Sequence, residues 1–461
     1  MDVRLSVALA AGRITGTLSR RLGSGGTVLP GHLVARLAPD ALQRIATRID
    51  RGVALISGTN GKTTTARMVA QAAARAGLHP IANRSGANLP PGILAAAVAH
   101  TNLAGRPLGD IAILEVDEAH VPAIVRATEP RLLALTNIFR DQLDRYGEVD
   151  FIASTWRDGI THLDPSATLV LNADDPTVAQ LAAGAPCEVA TYGMEHRVLG
   201  SPTPSHDADM RLCPRCRRRL SYSWAYYGHV GHYCCGACGW QRVHPSYAVT
   251  HLELHSDGST ELTIERDVST TRLSVPLPGL YNAYNGLAAY SIAASLGIPD
   301  GAIVAAIADF TAVFGRQEHV TVGDGSLTLA LVKNPVGFNQ VLQTLALTGP
   351  PDYIVIAIND LFADGTDVSW LWDVDFELLA EWPSTVLCTG LRAPDMALRL
   401  KYAGLPPARV SIEPGIAAAV EQALAAAHRG GRVIVLPTYT AMLEMRAALQ
   451  RLGTVTPFWE N

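Results

Sequence analysis

Short apolar runs recur along the chain, each closed by polar residues. Val53 to Ile56, Leu132 to Leu135, Leu169 to Leu171, Leu329 to Val332, Tyr353 to Ile358 and Val433 to Leu436 are such runs. Brief, uninterrupted apolar stretches predict strands buried on both faces of a parallel sheet. Helical pattern follows several of them; Lys62 and Thr63 open one helix that continues through Ala66, Met68, Val69 and Ala70. Alternating strands and helices predict a mostly parallel α/β sheet. Residues 247 to 275 depart from this rhythm. Ala248, Thr250, Leu252 and Leu254, then Leu262 and Ile264, alternate in the β manner around Asp257-Gly258, which predicts a hairpin. Residues 1 to 50 contain Gly23-Ser24-Gly25-Gly26 and Leu29-Pro30-Gly31 and read as a loop-like prelude, followed by a helical stretch around Pro39 to Ile49.

The bulk numbers set limits on this picture. A chain of 461 residues accommodates two or three domains, and 48% hydrophobic with 17% charged residues suffices for large cores. A net charge of −5 gives no global attraction to nucleic acid. No apolar run approaches the roughly 20 residues of a spanning helix. Leu5 to Ala11 is apolar, but Arg13, Arg20 and Arg21 follow without a clean cleavage site, so it is not read as a signal peptide. Of seven cysteines, Cys187 and Cys388 stand alone and read as buried apolar residues, while five lie between 213 and 238.

Chemistry enters at residues 53 to 65, Val-Ala-Leu-Ile-Ser-Gly-Thr-Asn-Gly-Lys-Thr-Thr-Thr. A buried strand, a turn through Gly58, Thr59, Asn60 and Gly61, and a helix opened by Lys62, Thr63 and Thr64 make a phosphate cradle. Backbone N–H groups and the helix N-terminus bind anionic oxygens, Lys62 reaches the outer phosphates of ATP, and the Thr63 hydroxyl serves Mg²⁺. The general P-loop pattern asks for glycine where Ile56 stands. Arg84 to Gly92 is a second Gly/Pro-rich loop expected to line the same pocket. Ile111 to Leu114 is a strand ending in Glu115, Asp117 and Glu118; a carboxylate there holds Mg²⁺ beside the phosphates. Glu115 is the first choice, with Asp117 and Glu118 as supporting acids.

Cys213-Pro-Arg-Cys216 and Cys235-Gly-Ala-Cys238 have the spacing of a four-cysteine Zn²⁺ ribbon, with Cys234 as the spare. Gly236 and Gly239 let its knuckle turn. Arg211, Arg215, Arg217, Arg218 and Arg219, with Tyr222, Trp224, Tyr226 and Tyr227, keep open a nucleic-acid reading. The favoured reading is a structural staple on an insert too small to own a core.

The short Gly-Thr-Asn-Gly-Lys-Thr form resembles the Mur ligase family, which activates carboxylates with ATP. Further segments carry the resemblance: Thr136-Asn137-Ile138 through Asp144, Leu171-Asn172-Ala173-Asp174-Asp175, Asn282 to Ala289, and Gly315-Arg316-Gln317-Glu318. The resemblance implies that Glu115 binds Mg²⁺, that Asn172 and Asn282 lie by the nucleotide base, and that Arg316 contacts ATP phosphates. Two departures lie in the second-metal region. Gln142 replaces the expected metal-binding His, and Phe151 to Arg157 lacks the usual Lys. Together with the four-cysteine insert and the loop Asn359 to Asp373, they make the chain similar to the MurT branch, the synthetase subunits of lipid II isoglutaminyl synthase.

That resemblance implies a Mur ligase-like central P-loop ATPase domain over 1–316, with a parallel sheet and an inserted zinc ribbon at 207–245. A smaller, partner-binding C-terminal α/β domain covers 317–461. It implies activation of the D-glutamate α-carboxylate of lipid II as an acyl phosphate and amidation by ammonia from a GatD-like glutamine amidotransferase subunit. The setting would be cytoplasmic, at the inner face of the membrane, without nucleic acid. Gln142 would still offer Mg²⁺ a carbonyl oxygen. Asp367 and then Asp364 are candidates to complete the partner's Cys–His pair. Trp370 and Trp372 read as interface anchors or core. The alternative is a ligase that adds an amino acid to a carboxylate.

Overall fold

The computed structural model describes residues 3–21, 28–83, 86–140, 149–197, 199–204, 212–255, 258–311 and 316–452. Two compact units result. The first takes in the described residues up to Phe139 and from 149 to Phe310; the second runs from Thr311 onward and includes Arg140.

The first unit is built on a nine-stranded sheet. Its strands are β1 (Val53–Ser57), β2 (Pro80–Ala82), β3 (Ile111–Glu115), β4 (Leu132–Leu135), β5 (Thr168–Asn172), β6 (Glu188–Met194), β9 (Tyr247–Leu254), β10 (Thr260–Arg266) and β11 (Ser269–Val275). An antiparallel pair between β6 and β9, β7 (Ser221–Tyr227) and β8 (Val230–Cys234), belongs to the cysteine insert. The order of the large sheet is β11-β10-β9-β6-β5-β4-β1-β3-β2, parallel from β2 across to β9. β1 lies between β3 and β4, with Ala54 opposite both Ile113 and Leu132, and all three strands are fully buried. Unbroken apolar runs suit this place because both faces are covered. The C-terminal ends of β1, β3, β4 and β5 share one edge, where ligands bind in open parallel sheets. The alternating segment 247–275 is not a lone hairpin. It forms three strands, with β10 antiparallel to β9 and β11 antiparallel to β10 at the sheet edge.

The prelude is helical, against expectation. Val3–Arg21 and Leu29–Leu37 are helices. Leu5, Ala8 and Leu9 pack with Val34, Ile45, Leu94 and Val98. A Cβ on Gly12 would meet Val34 and Val98, one on Gly16 Pro30, and one on Gly31 Pro91 O, so these glycines permit close helix packing; Gly23 to Gly26, read as loop, lie outside the described residues. Pro30 occupies the first helical turn, where its missing N–H is no loss.

The second unit has a six-stranded sheet of β12 (Arg316–Val322), β13 (Gly325–Ala330), β14 (Tyr353–Ala357), β15 (Thr385–Thr389), β16 (Val410–Ile412) and β17 (Arg432–Pro437). The order is β12-β13-β17-β14-β15-β16, parallel except for the β12–β13 pair. Phe338, Leu371, Phe376 and Trp382 belong to one of its apolar clusters; Leu327, Val355, Ala423 and Met445 belong to another. The two tryptophans separate: Trp370 packs against the Phe338 cluster, and Trp372 is exposed beside Tyr402 and Arg399. Cys388 is buried in β15 as expected, whereas Cys187 is half-exposed.

Candidate functional site

β1 delivers the chain into the phosphate loop. Gly58 and Gly61 both take positive φ, +153° and +82°. A Cβ on Gly58 would strike Thr136 Oγ1, and one on Gly61 would strike Asn285 Oδ1, so both places require glycine. The helix Lys62–Arg75 begins directly after the turn, which aims its N-terminal dipole at the loop. Thr64 and Thr65 lie buried in its first turn.

The loop is stapled to the end of β4. Thr59 N–H donates to Asn137 O at 2.9 Å, and Phe139 N–H donates to Thr59 Oγ1 at 3.0 Å. Asn137 brackets Asn60, accepting its N–H at 2.8 Å and donating to its carbonyl at 2.9 Å. Asn282 and Asn285 do share one side of the helix Leu280–Ser295, with Asn285 Nδ2 donating to Asn282 Oδ1 at 3.1 Å. Asn282 Nδ2 donates to Pro278 O at 2.8 Å.

Thr63 Oγ1 donates to Glu115 Oε2 at 2.7 Å across the β1–β3 boundary. Asn88 donates to Glu115 Oε1 at 3.2 Å, and Asn83 exchanges hydrogen bonds with the Glu115 backbone at 2.9 Å each way. The second loop therefore holds the glutamate. These hard oxygen donors beside a phosphate loop fit Mg²⁺. Lys62 Nζ donates to Glu118 Oε1 at 2.9 Å, to Gly58 O, and to Thr59 O at 3.4 Å. Lys62 and Glu118 are both buried. Glu118 is thus the direct ion partner of Lys62, while Asp117 accepts from Ala119 N–H and faces His120 at 3.0 Å. Gln142 lies outside the described residues, as does the Arg316 side chain.

Asn172 is buried at the end of β5, and its Oδ1 accepts Asp174 N–H at 3.0 Å. Asp175 caps the short helix that follows and also accepts Ile138 N–H at 3.0 Å. Asp174 accepts from Arg242, from Tyr284 OH at 2.7 Å and from Met194 N–H at 2.8 Å.

The four expected cysteines converge. The Sγ atoms of Cys213, Cys216, Cys235 and Cys238 lie within 4.8 Å of one another, with pairs at 3.7 and 3.5 Å. Tetrahedral Zn–S bonds of about 2.3 Å set an edge of about 3.8 Å, so the cluster fits zinc. Cys234 is exposed and outside the cluster. In the knuckles Gly239 takes φ +72° and Arg217, after the other Cys pair, φ +60°. The Cys238 N–H is the main group pulling the Cys235 thiol down to about 6, with burial opposing. The insert is docked on the β5 loop: Gly231 N–H donates to Asp174 O at 2.8 Å and Tyr233 OH to Ala173 O at 3.1 Å. Tyr226 and Tyr227 are buried against Tyr284, Arg217 pairs with Asp150, and Arg215 lies over Trp240. The aromatic residues that invited a nucleic-acid reading include two spent on this docking.

In the second unit Asp364 is buried and accepts Thr440 N–H at 2.7 Å and the Thr440 hydroxyl; burial raises its pKa, opposed by these bonds. Asp367 is exposed, and its Oδ1 accepts Ser369 N–H at 2.8 Å.

A parallel sheet feeding a phosphate loop beside a strand-end glutamate is the architecture of the Mur ligases, and the chain is an ATP-dependent ligase of that class. Residues 56–210 match the Mur ligase middle domain, and residues 331–442 match the MurT ligase C-terminal domain. The chain belongs to the MurT family. It is 34% identical to the lipid II isoglutaminyl synthase (glutamine-hydrolyzing) subunit MurT of Streptococcus pneumoniae, over 97% of this chain and 98% of that one. The corresponding subunit of Staphylococcus aureus strain N315 is 30% identical over the same shares. The pseudomurein peptide ligase type C of Methanothermus fervidus superposes with a TM-score of 0.67 at 21% identity, covering 88% of this chain and 80% of that one. MurF of Acinetobacter baumannii gives 0.66 at 16% identity, covering 92% and 80%. These two structures share the fold.

Proposed function

We propose that the chain is the synthetase subunit of a glutamine-hydrolysing enzyme that amidates the D-glutamate α-carboxylate of lipid II, giving D-isoglutamine. The observation that carries this reading is the Thr63–Glu115 pair at 2.7 Å, next to buried Lys62, at the ends of adjacent parallel strands. Family membership supports this choice of substrate and partner.

A carboxylate is a poor electrophile, and bound ATP supplies the phosphoryl group that makes it an acyl phosphate. Lys62 leaves Gly58 O and turns its charge to the phosphates, while the loop N–H groups hold their oxygens. Thr63 and Glu115 would hold Mg²⁺, Arg316 would add charge, and Asn172 and Asn282 would lie on the base side. Ammonia then attacks the acyl carbon and phosphate leaves. The domain 317–461 docks a glutaminase, and Asp367 orients that partner's catalytic His. Its exposure favours it over Asp364, which is committed to Thr440.

The test uses the purified chain with ATP, lipid II and ammonium. The expected product has one carboxyl hydroxyl replaced by an amine, with ADP released in step. ADP release that requires an added amino acid, with no amidated product, overturns the reading.

A further inference from the structure

The helix Val3–Arg21 has apolar residues on both faces. Its inward face carries Leu5, Ala8 and Leu9, buried against neighbouring helices. At about 100° per residue, positions 3, 7, 10, 11, 14 and 18 fall together on the opposite side. They are Val, Val, Ala, Ala, Ile and Leu. Val3, Val7, Ile14 and Leu18 are 71%, 58%, 61% and 54% exposed. An outward helix face on a globular unit is ordinarily polar.

The stripe continues at both ends. Arg4 Nε donates to Leu37 O at 2.7 Å, which brings exposed Leu37 beside its start. Gly16 lies on Pro30, next to exposed Leu29. Charge is one-sided: the helix contains Arg4, Arg13, Arg20 and Arg21 and no acidic residue, in a chain whose net charge is −5. By the same helical spacing Arg4 and Arg13 flank the stripe on opposite sides, and Arg21 falls in line with Val3 at its C-terminal end. Arg13 donates to Thr101 O, so both guanidinium groups are tied to backbone carbonyls of neighbouring segments. An apolar stripe edged by long basic side chains is the pattern of a helix lying in a membrane interface. Among the described residues no helix is long and apolar enough to cross a membrane.

We propose that the outward face of Val3–Arg21 docks flat on an anionic phospholipid surface, with Val3, Val7, Ile14 and Leu18 at the acyl boundary and the helix's net positive charge towards the headgroup phosphates. Four arginines and no acidic residue within the helix argue for this occupant. Two copies joined through this face would bring both sets of arginines together, which like-charge repulsion opposes. The docking stands on the helix itself; only its use, presenting the active site to a lipid-linked carboxylate, rests on the proposed reaction.

The experiment is co-sedimentation of the full chain with phosphatidylcholine vesicles containing about one third phosphatidylglycerol, without nucleotide or substrate. The wild-type chain is expected to pellet with these vesicles, more weakly with neutral ones, and less as salt rises. The double variant Val7→Glu, Ile14→Glu is expected to lose about tenfold or more in lipid partitioning with its melting midpoint unchanged. Failure of the wild type to pellet, or equal pelleting by the variant, overturns the proposal. So does a concentration-dependent dimer in sedimentation velocity that the variant abolishes, since the face would then join copies. No ligase step is involved, so either failure leaves the reaction reading standing, and a failed amidation assay leaves the docking standing.

Discussion

Lys62 is held by Glu118, Gly58 O and Thr59 O, groups it would release on the proposed reading to reach a nucleotide. Its partner Glu118 is as buried as it is, with side-chain exposures of 7% and 8%. Replacing one member of such a pair leaves the other charge buried alone, at about 3–5 kcal/mol. Lys62→Met is therefore expected to lower the melting temperature as well as abolish ATP turnover. Adding Glu118→Leu should return the melting temperature towards wild type without returning turnover; paired melts and ADP assays check both. Gly61→Ala is expected to weaken nucleotide binding at least tenfold, because its Cβ meets Asn285 and its φ disfavours a side chain; titration with a fluorescent nucleotide reads this. The cradle, Glu115 and the four cysteines were legible because each signal lies in a few consecutive residues or a fixed spacing. Glu118 as the partner of Lys62, Asn137 as the clamp on Asn60 and Asn88 as the support of Glu115 were not. Each pairing spans dozens of residues and depends on strand order, which no local pattern contains.

At the scale of elements, the cysteine insert is tied to the β5 loop through Arg242, Gly231 and Tyr233. Removing zinc with a chelator, or substituting Cys238→Ser, is expected to lower the melting temperature, since the insert's cluster of Cys213, Leu220, Tyr233, Cys235 and Trp240 is small; calorimetry with zinc analysis checks this. Burial, aided by the charge of Arg242, holds the His232 imidazole below its usual range while Nε2 lies 2.6 Å from Met194 O. The unfolded chain then takes up this proton at higher pH than the folded one. The stability involved is fully present above about pH 6.5 and is lost as pH falls below it. His232→Gln should flatten that part of a melting-against-pH curve. Sequence pattern identified the insert's four cysteines but misjudged the prelude, because Leu29-Pro30-Gly31 resembles a loop until the helices it fits are present.

At the scale of the molecule, the two aspartates of the second unit separate by environment. Asp367→Asn is expected to cut glutamine-driven amidation by about a hundredfold or more while ammonium-driven amidation continues. Asp364→Asn should act mainly on stability, because Asp364 fastens the loop to Thr440. Comparing the two nitrogen sources for each variant separates these outcomes. The α/β architecture followed from alternating strands and helices; the six-stranded order β12-β13-β17-β14-β15-β16 could not, because parallel pairing joins strands distant in sequence.

On the proposed reading, the ion pair between Lys62 and Glu118 would also make the resting loop selective. Any anion that enters must outcompete a carboxylate already in contact with the lysine. A ligand with one phosphate offers little beyond that exchange. A triphosphate spanning the loop N–H groups, the lysine and the Thr63–Glu115 pair gains several contacts at once. Inorganic phosphate and AMP are therefore expected to compete poorly with ATP, which a competition titration with a fluorescent nucleotide checks.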